Sequence, residues 1–343
     1  MQNYQEVPKN LKCPVCCANE AHLLWSVSSK QAAQHFILKE KQSERFLKLV
    51  SHIESLWGQD SCEVVQCNNC GFCYSNPYVA GDMQFYTLAY DRSGGYPTWK
   101  WEYQITYETL KMFLKPESTL LEIGAGDGAF VKRISNELLP KENIICTEFS
   151  EYGRQKIEEL GLKGFSDDFR YLHFGKLKGN FDVVCMFQVL EHLDRLDAVF
   201  QKLYSLMKKG GSLFIAVPNH KKIEFNELNG ALLDMPPNHI GRWNKLCFEK
   251  IGKQYGFYVE KYKVENFSFF QMAKQFTMYR FLRKSQQSGT FENYLQRIKN
   301  PYLFRKLRLI SMAVDSIIAI PAFMKKGFRE GDNQWVHLIK IKE

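Results

Sequence analysis

Three groups of residues in this 343-residue chain have types and spacings suited to chemistry. The first is TLLEIGAGDGAF, where apolar residues lead into Glu122 and glycines then fall at every second position, Gly124, Gly126 and Gly128. Such a loop, opening a helix after a buried strand, holds a nucleotide-like cofactor in α/β proteins. Gly124, Gly126 and Ala129 also satisfy the dinucleotide spacing G-x-G-x-x-A, so the glycines do not choose the ligand. Glu122 does: a carboxylate there repels a pyrophosphate and welcomes a cationic amino group. Glu148, at the end of the next strand, is placed to accept hydrogen bonds from ribose hydroxyls.

The second group is the cysteines. Seven of the ten lie within the first 73 residues, among them the C-x-x-C pairs Cys13/Cys16 and Cys67/Cys70. In a reducing compartment that pattern reads as metal ligation, and four thiolates make the closed tetrahedral site of a structural Zn²⁺. Folding rather than catalysis is expected of it. Cys17, Cys62 and Cys73 are left as spares, and Cys146, Cys185 and Cys247 sit among apolar residues as small buried hydrophobes. The third group is the histidines that follow strands: His192 after Glu191, His220 after Asn219, and His239 in the proline-rich LLDMPPNHIGRW. Each is a candidate base.

These residues need elements to position them. From Pro116 short apolar runs at 119–123, 143–148, 181–187 and 212–217 read as strands separated by helices, which implies a mostly parallel sheet covered on both faces. Ser150 is a plausible helix N-cap and Gly161 a plausible stop. GFYVEKYKVEN and WVHLIKIK add two more strands. Residues 1–80 form a metal module whose cysteine pairs are separated by one helical insertion, SKQAAQHFILKEKQSERFLKLVSHIESLW. Residues 81–115 read as an aromatic linker or lid, and 116–343 as the main domain with a basic helical insertion at about 270–333.

The glycine loop, the acidic end of the second strand and the block FDVVCMFQVLEHL together resemble class I S-adenosylmethionine-dependent methyltransferases over residues 116–265. The resemblance implies a Rossmann-like seven-stranded sheet with a reversed seventh strand. It also implies that Glu122, Gly124, Ala125, Gly126 and Gly128 hold the methionine end of the cofactor, Glu148 the ribose and Phe149 a face of the adenine. Asp167 or Asp168 would meet the adenine amino group, and Gln188 and Val189 would line the site by the sulfonium. A P-P-x-H…W segment that faces the acceptor in the family makes His239 the first choice of base and His192 the second, with Glu191 orienting either. Tyr86, Tyr90 and Trp99 would close the pocket. VVQCNNCGFCYSNPYVAGDMQFYTLAY resembles the zinc ribbon that precedes this domain in bacterial enzymes of nucleotide-linked sugars and surface polysaccharides. The acceptor implied is an anionic sugar nucleotide or glycan precursor, methylated on oxygen or carbon.

The net charge of +9 is concentrated between residues 270 and 330, with twelve Lys or Arg against three Asp or Glu. Within it, the apolar stretch Leu309 to Met324 is interrupted by Asp315 and Pro321 and flanked by cations, too broken for a membrane span. A lid or dimer-packing helix is the simpler reading, and an interfacial helix on an anionic bilayer the alternative. The N-terminal MQNYQEVPKNLK carries no secretory signal, so a cytoplasmic enzyme is expected. Two other functions compete: an RNA methyltransferase gripping its substrate with the metal module and basic segment, and a non-catalytic binding module. The charge lies away from the cysteines, against the first; intact Glu122, Glu148 and glycines stand against the second.

Overall fold

The structure is a computed structural model that describes residues 11–37, 39, 42–90, 99–172, 181–228, 234–285, 287–298, 300–326 and 330–341. The start of the chain, and part of the aromatic stretch read as a linker, lie outside the described residues.

Strand β1 (Ala21–Ser28) runs into helices α1 (Ser29–Phe36) and α2 (Ser43–Trp57), then β2 (Ser61–Cys67) and β3 (Cys73–Asn76). Helices α3 (Met83–Ala89) and α4 (Trp101–Leu110) follow. The alternating region is β4 (Leu120–Ile123), α5 (Ala129–Glu137), β5 (Ile144–Thr147), α6 (Glu151–Glu159), β6 (Lys163–Phe165), β7 (Phe181–Phe187), α7 (Leu196–Leu206) and β8 (Met207–Pro218). Then come α8 (His220–Leu228), β9 (Gly241–Arg242), α9 (Lys245–Gln254) and β10 (Phe257–Asn266). The helices α10 (Phe269–Ser285), α11 (Phe291–Leu295) and α12 (Pro301–Lys326) precede the final strand β11 (Glu330–Lys340).

The large sheet has the order β10-β11-β8-β7-β4-β5-β6. Strands β4 to β8 pair in parallel, and β11 is antiparallel to β8. The result is an α/β fold on a mixed seven-stranded sheet with the reversed strand expected of it. Because β4 lies between β5 and β7, the chain leaves it to both sides, and ligands of such sheets bind beyond the strand ends at that switch point. The period of two in a strand sorts the faces. Leu121, Ile123, Val184 and Met186 pack with α7 and α9 residues such as Phe200 and Phe248, whereas Leu120, Val183 and Cys185 pack with Tyr103, Phe130 and Ile134 of α4 and α5.

The cysteine region differs in detail from the single helix expected there. The chain first makes β1, and the insertion is two helices, because Ser28 caps α1 with a capping box and Ile37 is already extended and buried. Lys39, Glu40 and Lys41 are ordinary helix formers, so propensity gives no stop there; burying Ala32 and Ala33 against Leu49 and Ile53 brings α1 back onto α2. Strands β1, β2 and β3 form a second sheet, whose fourth strand is β9, beside His239.

The chain divides into two compact units. The first runs to Pro218 and adds Asp234–Lys263 and Asn333 onward, so it includes both the cysteine module and most of the large sheet. The second comprises Asn219–Leu233 and Val264–Asp332. Among the described residues no helix is long and apolar enough to cross a membrane.

Candidate active site

The glycine loop turns tightly at the end of β4. Gly124 and Ala125 both donate their N–H to the carbonyl of Thr147, at 2.9 and 3.0 Å, tying the loop to β5. Gly124 has φ +73°, and a Cβ there would lie 2.5 Å from Val189 Cγ2, so the residue type is required twice over. Gly128 follows and leads into α5.

Glu122 is wholly buried below this loop, and among the described residues neither carboxylate oxygen has a hydrogen-bond partner. Burial foremost, and repulsion from Glu148 and Asp127, push its pKa well above the usual carboxylate range against the pull of Lys100. A buried carboxylate without a donor is costly, and an ammonium group is the partner that would satisfy it. Glu148 accepts from the N–H of Gly126 and of Ser150, both at 2.8 Å, and its oxygens keep lone pairs for a further donor. Phe149, next to it, is exposed. Of the two aspartates open for the adenine amino group, Asp168 is spent on Arg170 at 2.6 Å, while Asp167 is exposed to solvent.

The second half of the site follows β7. Gln188 sits at φ +57°, a sparsely populated conformation for a side-chain-bearing residue, and donates to Glu102 at 3.2 Å and Asn333 at 3.1 Å. Glu191 is buried in a 3₁₀ turn, Leu190–His192, and among the described residues neither of its oxygens has a hydrogen-bond partner, though Oε1 lies 3.9 Å from His192 Nε2. His192 places Nδ1 at 2.7 Å from the carbonyl of Asn238 and 3.1 Å from the Tyr86 hydroxyl. His239 places Nδ1 at 2.6 Å from Asp234. The two imidazoles meet edge to face with centroids 4.6 Å apart. One ligating atom from each of Glu191, His192 and His239 lies within 4.8 Å of the others.

Their protonation is split. Burial, helped by repulsion from His239, drives the His192 pKa down to about 3, so this ring is neutral. Burial also opposes charge on His239, but the bonded Asp234 carboxylate outweighs it and raises the pKa above the ordinary histidine value. Burial pushes Glu191 up to about 7. Neighbouring groups pushed apart in this way mark sites of proton transfer.

The loop that carries His239 is held from two sides. Ser75 of β3 donates its N–H to the carbonyl of Ile240 at 3.0 Å, and Ile240 donates its own to the carbonyl of Glu191 at 2.9 Å. Beneath β3 the four cysteines converge: Cys13 Sγ lies 3.6 Å from Cys70 Sγ and Cys16 Sγ 3.5 Å from Cys67 Sγ. Four thiolates about 2.3 Å from one Zn²⁺ would sit about 3.8 Å apart, so the cluster is compatible with that ion. Cys17, Cys62 and Cys73 stand outside the cluster. The module also grips α9, since Asn244 donates to the carbonyl of Cys70 at 3.1 Å and Trp243 packs on Phe72.

Several expected residues sit elsewhere in the fold. Trp99 belongs to the core cluster with Phe130 and Tyr103. Asn219 spends its amide on Glu330 and the carbonyl of Gly331, and His220 opens α8 in the second unit. Three contributors escaped the sequence: Glu102, Asp234 and Gly153. Gly153 had a trace, an isolated glycine inside a helix: a Cβ there would lie 2.5 Å from the Gly126 carbonyl and 2.7 Å from Glu148 Cγ.

Residues 100–262 match the model of a family described as a methyltransferase domain. No curated protein matches the sequence. Among solved structures, phosphoethanolamine N-methyltransferase 2 of Haemonchus contortus bound to S-adenosyl-L-methionine is 15% identical, with 71% of this chain and 53% of that one covered and a TM-score of 0.42. This chain thus spans about half its length. An S-adenosylmethionine-dependent methyltransferase of Archaeoglobus fulgidus is 17% identical over 69% of this chain and 94% of that one, with a TM-score of 0.41. The [4+2]-cyclase SpnF is 14% identical over 94% and 99%, with a TM-score of 0.45. The family match spans β4 to β8 and the loops that bear Glu122, Glu148 and His239, so residues 100–262 are similar to a methyltransferase domain.

Proposed function

We propose that this enzyme methylates an oxygen or carbon of a nucleotide-linked sugar or related surface-glycan precursor. The observation that carries the reading is the buried, unpartnered carboxylate of Glu122 beneath the glycine loop, which suits the amino group of S-adenosylmethionine and would repel a pyrophosphate. When bound, that cofactor supplies an activated methyl group on its sulfonium. The residues that would hold it are Glu122 and the backbone of Gly124–Gly128 at the methionine end, Glu148 at the ribose, and Phe149 and Asp167 at the adenine. Gln188 and Val189 border the reacting end.

On this reading His239 is the base. Its Nδ1–H donates to Asp234, which turns Nε2 outward as the basic nitrogen and stabilises the imidazolium formed when the acceptor gives up a proton. His192, held neutral, packs against the ring and fixes its tilt. Glu191, buried beside both rings, favours the charged form of His239. The chain's resemblance to the ribbon-bearing enzymes of surface-polysaccharide pathways supports the acceptor class, and Cys13, Cys16, Cys67 and Cys70 would hold a structural Zn²⁺.

The test is calorimetric titration with S-adenosylmethionine, NAD as control, followed by a screen of nucleotide sugars with methyl-labelled cofactor. Binding of the first alone and label on a sugar nucleotide would support the proposal. Label on bulk RNA would replace the acceptor class, and failure to bind S-adenosylmethionine would remove the cofactor assignment.

A further inference from the structure

The second compact unit shows a helix whose outward face has the wrong polarity for water. Within it, the side of α12 that faces its own core carries Phe304, Arg308, Ser311 and Asp315, a spacing of three and four residues. Asp315 is buried and paired with Lys284 at 2.6 Å and Arg280 at 3.6 Å. Ser311 donates to the buried Glu292 at 2.8 Å, which Lys284 also reaches at 3.4 Å. The acid that interrupted the apolar stretch in the sequence therefore points inward, and the opposite side of the helix is left to Tyr302, Leu303, Leu309, Ile310, Val314 and Ile317, all exposed. Ile310 is 57% and Ile317 70% exposed. A surface helix in water ordinarily has polar residues on that side, and a contiguous apolar face marks an interaction surface.

Charge selects the partner. Between residues 270 and 329 the only acids are Glu292 and Asp315, and both are buried and engaged with cations. Outward, the same helix presents Arg305 beside the apolar face and Lys306 among its N-terminal residues, over the Tyr302 ring at 4.5 Å. An apolar stripe edged by unneutralised cations is complementary to a surface with an apolar interior and an anionic skin.

We propose that α12 docks this enzyme on the surface of an anionic lipid bilayer, lying in the interface with Leu303, Ile310, Val314 and Ile317 in the acyl boundary and Arg305 and Lys306 at the headgroups. No described helix is long and apolar enough to span, so the contact is peripheral. The proposal is independent of the acceptor assigned above.

The experiment is flotation of the full chain with vesicles of phosphatidylcholine mixed with phosphatidylglycerol, and with phosphatidylcholine alone. The wild type floats with the mixed vesicles, less as salt rises, and weakly with the neutral ones. Ile310→Asp combined with Ile317→Asp lowers flotation about tenfold or more, while far-UV circular dichroism stays that of the wild type. Arg305→Gln with Lys306→Gln, which leaves the apolar face intact, removes most of the salt dependence and keeps a residue of binding. No flotation by the wild type, or equal flotation by both variants, overturns the proposal. So does a wild-type dimer by light scattering that Ile310→Asp with Ile317→Asp turns into a monomer without any effect on vesicles, since the face is then a self-pairing surface.

Discussion

The N–H of Ser75 and the carbonyl of Ile240, 3.0 Å apart, join the cysteine module to the residue that follows His239. Strand β9 is the outermost strand of the cysteine module's sheet, so the module supports the loop that carries His239. Cys67→Ala should release one Zn²⁺ per chain, measured by atomic emission, and destabilise the fold by about 3 kcal/mol or more. It should also lower kcat in the protein that remains folded, because β3 no longer fixes the His239 loop. A folded variant with full kcat would show that the module is only a staple.

Removing the base should cost about 10²–10⁴ in kcat for His239→Ala, with S-adenosylmethionine affinity unchanged, and His192→Ala should cost less. Only neutral His239 can accept a proton, so activity falls as pH drops through its raised pKa. The acid limb of kcat against pH should lie above 6.5, the ordinary histidine value. Asp234→Asn removes the carboxylate that raises it and should move the limb to lower pH while lowering the plateau. An unmoved limb would mean that another group titrates.

Glu122 separates binding from folding. Its raised pKa leaves it protonated in the free enzyme over a range where a free glutamate is ionised, so Glu122→Gln is nearly isosteric there and should change stability by less than about 1 kcal/mol. Cofactor binding should weaken by about two orders of magnitude, the cost of losing a charge-assisted pair. Since the carboxylate is the form that takes an ammonium, wild-type affinity should rise with pH, and calorimetry in buffers of different ionisation enthalpy should detect a released proton.

Glu191 offers the matching stability experiment. Its pKa stands at about 7 in the fold against 4.5 when free, so the unfolded chain loses the proton first and stability falls as pH rises between those values. Well above pH 7 the penalty levels off, on the order of 3 kcal/mol. Glu191→Gln should therefore raise stability to chemical denaturation at pH 8 and leave it unchanged near pH 4.5. Equal effects at both values would show that the buried carboxyl ionises in the fold as it does in the unfolded chain.

Gly153→Ala places a methyl 2.5 Å from the Gly126 carbonyl and 2.7 Å from Glu148 Cγ. The loop or the carboxylate must move, at a cost of about 1–3 kcal/mol. Equilibrium binding should report more of that loss than the melting curve does, because the displaced groups are the ones that would meet the ribose.

The parts of this protein that are local in sequence were legible there. Apolar runs separated by helices define the parallel strands β4, β5, β7 and β8, since hydrophobic period is a property of neighbours, whereas β6, Lys163–Phe165, carries no such run. Ser150 caps α6 through the N–H of Gly153, and Gly161 takes the left-handed turn, as their residue types require. Each C-x-x-C pair forms its own tight turn, closed by Cys17 N–H to the Cys13 carbonyl and Gly71 N–H to the Cys67 carbonyl. What only the tertiary structure decided are pairings across long separations. That Asp168 is taken by Arg170, that Asp234 turns His239, and that His192 is held neutral while the Glu191 pKa is raised all depend on what burial removes from water, which no spacing records. The second sheet has the same origin: two residues, Gly241 and Arg242, are too few to read as a strand, yet they complete the cysteine module's sheet next to His239. On α12 the sequence shows an acid in the middle of an apolar stretch; only the fold shows it turned inward to Lys284, with the apolar side left facing out.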